Sequence, residues 1–433
     1  MKIYKLNILI IIAAILSLSS CVDMMQDASD ATKVQKIEVS YKINSVTGFV
    51  PLEGDAPVDD NFSVAGLNVK FINFSEGTEE TGTADANGIV SVQIIPGVYN
   101  VSVAGTVDNE LGKYYLNGLA QSIAFTEPIT KSEAETNSDL SMNIRPSKVG
   151  PLCFSEIYYC GAPGYYFRDQ TYQIYNNGDE TYYLDHLCLA QLYPQNATAH
   201  LPEWPESEGK DNYTYAATMW QIPGNGTDYP LEPGESIIIV QEAADHTKIK
   251  SFKGTYGGID NSMAEWECWS GNASRVNAEV PDLPYVFWAG RVNRIQWLTA
   301  VKGSAFALYQ PGEALDINDT DYWQDGVNVI TPIGKTYGFA RLTPDKIIDA
   351  VELIPNMSSL DMKRIPGFID AGATSVGAAY INKSVARKVI DHRDDGTPIY
   401  QDTNNSTNDF VIEDIPMIRR NGEKVPSWSP SNE

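Results

Sequence analysis

The sequence predicts an all-β fold built as two β-sandwich domains, the second carrying long aromatic-rich insertions. Short runs in which apolar and polar residues alternate with period two, the mark of half-buried strands, recur along the 433 residues. Asn-Gly and Pro-Gly sequences, which favour tight turns, separate those runs. The stretch Arg145-Pro146-Ser147-Lys148-Val149-Gly150-Pro151 interrupts the pattern and reads as a domain boundary. A hydrophobic content of 43% with 24 tyrosines supplies material for packed cores, and the length suits two domains, or three.

At the N-terminus, Lys2 and Lys5 precede an apolar stretch over residues 8–18. It is too short to cross about 30 Å of hydrocarbon and reads as the core of a signal peptide. Leu18-Ser19-Ser20-Cys21 follows. These four residues resemble the lipobox of bacterial lipoproteins, which implies removal of residues 1–20 and acylation of Cys21, each buried methylene adding roughly 0.8 kcal/mol of membrane affinity. Residues 21–33 are short, polar and acidic and read as a tether. Asp23, Asp27 and Asp30 resemble the surface-export signal of Bacteroidetes lipoproteins, which implies a lipid anchor in the outer membrane displayed at the cell surface, with its periplasmic face as the alternative.

Residues 34–145 form the first predicted sandwich. Strands are expected at Ile37-Glu38-Val39-Ser40-Tyr41, Leu67-Asn68-Val69-Lys70-Phe71, Ile89-Val90-Ser91-Val92 and Tyr99-Asn100-Val101-Ser102-Val103, with turns at Asn87-Gly88 and Pro96-Gly97. The order Thr83-x-Asp85-x-Asn87-Gly88, strand, Pro96-Gly97-x-Tyr99-x-Val101 resembles the carboxypeptidase-regulatory or prealbumin-like sandwich. The resemblance implies a spacer or interaction module without catalytic machinery.

Residues 151–433 form the second. Leu152-Cys153-Phe154-Ser155-Glu156-Ile157-Tyr158-Tyr159 reads as a strand, and Thr171-Tyr172-Gln173-Ile174-Tyr175-Asn176-Asn177-Gly178 as a strand entering a hairpin turn toward Tyr183-Leu184-Asp185. This run resembles the lamin-tail domain, which implies an immunoglobulin-like sandwich. Pro233-Gly234-Glu235 before Ile237-Ile238-Ile239, Ile348-Asp349-Ala350-Val351-Glu352, Ser384-Val385-Ala386-Arg387, and Asp402-Thr403-Asn404-Asn405-Ser406 with Asp409-Phe410 extend the resemblance in order. Segments at about 194–219 and 243–334 exceed ordinary sandwich connections of about 4 to 6 residues and read as insertions. Taken together, the chain resembles a Bacteroidetes outer-membrane lipoprotein family of unknown function.

A net charge of −25, with no basic cluster, argues against nucleic-acid partners. Cys153, Cys160, Cys188 and Cys268, in a chain exported to an oxidising compartment, are candidates for two disulfides in any of three connectivities. No Cys-x-x-Cys pair occurs and the four histidines share no ligand spacing, so neither a metal nor a cofactor is expected. Asp316-x-Asn318-Asp319-x-Asp321 lacks the glycine and distal glutamate of an EF-hand loop.

The insertions concentrate aromatic residues, and Trp204, Trp220, Trp266, Trp269 and Trp288 are the candidate ligand contacts, since a flat ring offers apolar area at small entropic cost. Glu203, Glu206, Glu208, Glu265 and Glu267 lie near aromatics, but no spacing marks a glycosidase pair, and no nucleophile motif occurs. No catalytic residue is assigned. The expected function is non-enzymatic: a lipoprotein, anchored through Cys21, that binds an extracellular ligand or partner protein. The family resemblance implies a place beside an outer-membrane transport receptor. An adhesion or envelope-structural protein with β modules as spacers is the alternative.

Overall fold

The computed structural model describes residues 35–45, 62–109, 112–209, 212–268, 279–291 and 297–432. Cys21, the expected signal peptide and tether, and Trp269 lie outside them.

Alternation becomes a curled sheet in the first half. Strands β1 (Ile37–Ser45), β2 (Asn68–Asn73), β3 (Thr78–Thr83), β4 (Ile89–Ile94), β5 (Gly97–Ala104), β6 (Thr106–Asn109), β7 (Gly112–Phe125) and β8 (Ser141–Ser147) join in the order β3-β2-β5-β7-β8-β1-β4, with β6 on β7. β1 runs parallel to β8, and the other pairs are antiparallel. Val39, Tyr41 and Ile43 of β1 turn inward at every second position and meet Phe71, Tyr99 and Phe125. The Tyr41 ring stands edge-on to Phe71 and Phe125 at 6.3 Å. The expected turn at Asn87-Gly88 is fixed by Asp85, whose Oδ1 accepts from the backbone N–H of Asn87 (2.9 Å) and Ile89 (3.0 Å). Helix α1 (Lys131–Thr136) opens with a capping box between Thr130 and Glu133.

The second half packs two sheets. β9 (Leu152–Tyr158), β10 (Thr171–Asn176), β15 (Ser236–Val240), β16 (Trp266–Glu267), β22 (Ser384–Arg387) and β25 (Phe410–Glu413) form six strands in the order β16-β15-β10-β9-β22-β25. β12 (Cys188–Leu192), β13 (Thr214–Gln221), β17 (Tyr285–Trp288), β18 (Ala305–Tyr309), β19 (Val329–Ile330), β20 (Phe339–Leu342) and β21 (Ile347–Glu352) form seven, ordered β19-β20-β13-β12-β18-β21 with β17 on β13. Two small ribbons pair β11 (Tyr182–Tyr183) with β14 (Pro230–Leu231) and β23 (Val389–His392) with β24 (Pro398–Tyr400). Phe154, Tyr172 and Ile237 of the six-stranded sheet and Leu189, Trp220, Phe306 and Val351 of the seven-stranded sheet share one core. The fold is all-β and sandwich-like, as the alternation predicted. In β9 the register slips at Ser155, so Phe154 and Ile157, three apart, both face that core.

Three expectations fail here. Asn177-Gly178 does not close a hairpin: β10 pairs with β9 and β15, while β11 pairs with β14. The Asn176 amide donates to the carbonyls of Glu180 (2.9 Å) and Leu231 (2.7 Å), which turns the chain out of the sheet. The segments at 194–219 and 243–334 are not simple insertions either, since the first ends in β13, a central strand, and the second holds β16 to β19. Nor do the cysteines bridge. All four are free, buried thiols, Cys153 beside Tyr175 and Tyr400, Cys188 behind the seven-stranded sheet, and Cys160 and Cys268 in the main core.

The residues that carry the later part of the lamin-tail resemblance converge on buried Arg387. Its guanidinium pairs with Asp349 (2.7 Å), Asp402 (3.1 Å) and Asp409 (3.6 Å), and its Nε donates to the Phe154 carbonyl (3.0 Å). Helix α2 (Ser406–Asp409) delivers Asp409. The same knot grips the first domain: Asn117 Nδ2 donates to the Thr403 carbonyl (2.7 Å) and Asn404 Nδ2 to Ser147 Oγ (2.8 Å). Arg145 completes the junction, donating to Asn212 Oδ1 (2.6 Å) with its guanidinium 5.2 Å from the Phe368 ring centre.

Candidate functional site

Three loops meet at one end of the six-stranded sheet, after β9, after β15 and before β22, where a sandwich scaffold ordinarily carries recognition residues. The first turns tightly between Ala162 and Tyr166, whose backbones exchange hydrogen bonds (3.0 and 3.2 Å). Gly164 and Tyr165 both adopt left-handed conformations in that turn, φ +79° and +63°. A Cβ on Gly164 would stand 1.9 Å from Thr255 Oγ1, so a glycine there lets the second loop close against the first. The second loop is a small hairpin, bridged between Lys250 and Tyr256 and tipped by Phe252 and Lys253. Thr255 Oγ1 donates to the Pro163 carbonyl (2.5 Å), which ties the two together. The third presents Tyr380, also left-handed at φ +61°, its N–H on the Cys160 carbonyl (2.6 Å).

The result is an outward aromatic cluster. Phe252 is 81% exposed, Tyr165 49% and Tyr256 47%. The Tyr165 and Phe252 rings lie within 21° of parallel at 6.2 Å, and Tyr380 stands edge-on to Tyr165 at 5.0 Å. The Lys253 ammonium sits 4.4 Å from the Tyr165 ring centre, and that of Lys250 5.3 Å from Tyr256. Among the described residues neither lysine has a carboxylate partner.

A buried polar layer holds this surface from below. The Tyr166 hydroxyl meets His246 Nδ1 at 2.6 Å, and His246 Nε2 donates to the Glu242 carbonyl (3.0 Å). Asp169 accepts from the Tyr158 hydroxyl (2.9 Å) and the Gly258 N–H (2.7 Å), and burial holds its carboxyl above the usual range. Left-handed non-glycine residues over a buried hydrogen-bonded layer mark a surface whose shape is imposed by its surroundings.

A recess at the domain junction, lined by Lys148, Asp345, Phe368 and Asn404, holds about 30 Å³, room for roughly one water.

Comparison with known proteins matches a family model described as a protein of unknown function (DUF4876) to residues 232–417. A crystal structure of a DUF4876 family protein from Bacteroides thetaiotaomicron VPI-5482 is 36% identical, covering 92% of this chain and 100% of that one, with a TM-score of 0.60. This chain belongs to the DUF4876 family. Two DUF3823 family structures, from Parabacteroides merdae and Bacteroides ovatus, are 8% and 10% identical over 46% and 47% of this chain and 100% and 98% of theirs, with TM-scores of 0.15 and 0.13, too low to bear on the fold. No curated protein matches.

In this DUF4876 chain the four described tryptophans expected to contact ligand pack against other rings, two of them fully buried. Trp220 and Trp266 are buried, Trp220 against Trp297 at 5.6 Å and Trp266 against Tyr229 and Trp428 at 5.3 and 5.2 Å. Trp288, half-buried, leans edge-on against Trp220 and Tyr285. Trp204 spends one face on Tyr215, stacked at 3.4 Å, while Tyr193 covers Phe339 beside it. Large rings at strand positions fill the wide gap that two broad sheets leave between them. Three of the acidic candidates, Glu208, Glu265 and Glu267, have structural work too, while Glu203 and Glu206 are exposed. Glu265 accepts from the Ile238 N–H (2.7 Å) and pairs with Arg419 (2.7 Å), Glu267 accepts from the Ala243 N–H (2.6 Å), and Glu208 pairs with Arg341 (3.3 Å). Asp316 and Asp319 cap their own loop, accepting from the N–H groups of Asn318 and Tyr322.

Sequence reading placed the contact surface on tryptophans of both long segments, and Phe252 and Tyr256 lie in the second without being among them. Tyr165 and Tyr380 were missed, because they stand far apart in the chain and join the cluster through loop geometry alone. The Pro163-Gly164-Tyr165 turn was the available signal.

Proposed function

We propose that this DUF4876 protein is a non-enzymatic lipoprotein, anchored in the outer membrane through Cys21, that binds an extracellular ligand or partner through the loop end of its second sandwich, beside an outer-membrane transport receptor. One observation carries the reading: an exposed aromatic cluster with two lysines that have no carboxylate partner among the described residues, on a chain of net charge −25. Exposed aromatic groups of this kind are what binding surfaces use, since they bury much area and lose little freedom. The lipobox-like Leu18-Ser19-Ser20-Cys21 supports the anchor. The test is a photo-crosslinking residue at position 252 in intact cells, with position 390, an apolar and exposed site on the β23–β24 ribbon, as control. Adducts at 252 and none at 390 are expected. Equal labelling at both positions, or none at 252, overturns the reading.

A further inference from the structure

The rings and lysines of the loop end differ from another exposed apolar patch among the described residues. Around Tyr337 and Ile333 the neighbouring rings cover one another, as with Tyr193 on Phe339, and the cation beside them, Arg341 at 5.1 Å from the Tyr213 ring centre, is paired with Glu208. At the loop end the Tyr165 and Phe252 rings stack nearly parallel, 6.2 Å apart, and Phe252 keeps most of its surface open to solvent. The Lys253 ammonium lies over the Tyr165 ring at 4.4 Å and 5.9 Å from the Phe252 centre, and that of Lys250 lies over the neighbouring Tyr256 ring at 5.3 Å. The nearby Lys248 already pairs with Asp245 (2.6 Å), so it is the remaining two that keep their charge available.

A ligand for this surface needs a flat apolar face to lie on the rings and an anionic group at its edge for the lysines. A pyranose with a carboxylate or sulfate has both: axial C–H groups on one face, and charge on an equatorial substituent. Across a chain of net charge −25, a free anion is repelled unless local cations and ring contact act together. The rings are also set before ligand arrives. Tyr165 and Tyr380 are held in left-handed backbone by Gly164, Thr255 and the Cys160 carbonyl, so little ordering remains to be done on binding.

We propose that Tyr165, Phe252, Lys250 and Lys253 form a binding site for an anionic glycan, the rings taking the apolar face of a sugar and the ammonium groups its carboxylate or sulfate. This rests on the reading of the loop end as the contact surface.

Calorimetric titration of the purified protein with polygalacturonate, chondroitin sulfate and neutral dextran tests it. Binding to one or both acidic polymers, weakened by salt, with none to dextran, is expected, and which acidic polymer binds assigns carboxylate or sulfate. Phe252→Ala and Lys253→Glu, both at exposed positions, each weaken it about tenfold, whereas Lys335→Glu on another face leaves it unchanged. Equal binding to dextran, indifference to the two variants, or no binding to either acidic polymer overturns the glycan assignment. If no polymer binds while the crosslinker at 252 still gives adducts, the glycan class falls and the contact surface stands. If neither responds, both fall.

Discussion

Arg387 Nη2 donates to Asp349 Oδ2 at 2.7 Å, and almost nothing of either side chain reaches solvent. Asp402 and Asp409 complete a cluster of three carboxylates around one guanidinium, and the Phe410 ring lies 4.8 Å from it. The residues are drawn from β21, β22, α2 and the loop before it, so the cluster ties both sheets together and, through Asn404 and Ser147, to the first domain.

Removing that guanidinium leaves three buried carboxylates without their common partner. Arg387→Ala is expected to destabilise the protein by about 3–5 kcal/mol, measured by urea unfolding. Arg387→Lys should recover little, because one ammonium cannot bridge Asp349, Asp402 and the Phe154 carbonyl together.

The same cluster gives stability a pH dependence. Burial pushes Asp349 up to about 7 against the pull of Arg387, and burial likewise pushes Glu423 up to about 7. In both, the folded state holds a proton that the unfolded chain has released, so stability falls as pH rises from about 4 through about 7. Carboxyls held low, such as Asp395 beside Lys424, contribute stability that is complete above that window's lower edge and lost only in stronger acid. Thermal unfolding is expected to give a higher Tm near pH 5 than near pH 8. Asp349→Asn should reduce the difference, and an unchanged slope would exclude Asp349 as its source.

The four cysteines make a separate prediction. Burial raises every one of these thiols, so native protein should not react with an aromatic disulfide reagent and unfolded protein should release all four. Mobility in gel electrophoresis should not depend on reductant.

At the domain junction, a Cβ on Gly367 would lie 2.3 Å from the Leu119 backbone nitrogen. Gly367→Val therefore forces β7 away from the second domain. Limited proteolysis is expected to cut the variant near residues 146–151 at a rate well above that of the native chain.

How far the sequence reveals this molecule differs from element to element. β1, β4 and β5 were legible because one face is buried and the other wet, which writes a period of two into Ile37–Ser45 and its neighbours. β7 breaks that pattern with small and polar residues at Asn117, Gly118 and Ser122, since it serves the domain junction as well as the core. β13 is covered on both faces, and its Thr-Tyr-Ala-Ala-Thr-Met-Trp-Gln run shows no alternation, which concealed it inside a supposed insertion. Exposure of aromatic residues was not legible. Trp220 and Phe252 both look like ring-bearing contacts in sequence, yet one fills the gap between sheets and the other tips a hairpin, a difference set by strand pairing between distant segments. Glu265 and Glu267 concealed their role for a similar reason: their partners, Arg419 and the backbone of β15 and its following loop, are remote in the chain or featureless in sequence.

Hydroxyl-radical footprinting of the purified protein and of the protein on intact cells tests the central claim most directly. In the purified form Phe252 and Tyr165 are expected to oxidise readily while Trp220, Trp266 and Trp297 stay unmodified, and on cells Phe252 and Tyr165 should become protected as their partner covers them. Oxidation of the core tryptophans in the folded protein, or equal reactivity of Phe252 in both settings, would contradict the account.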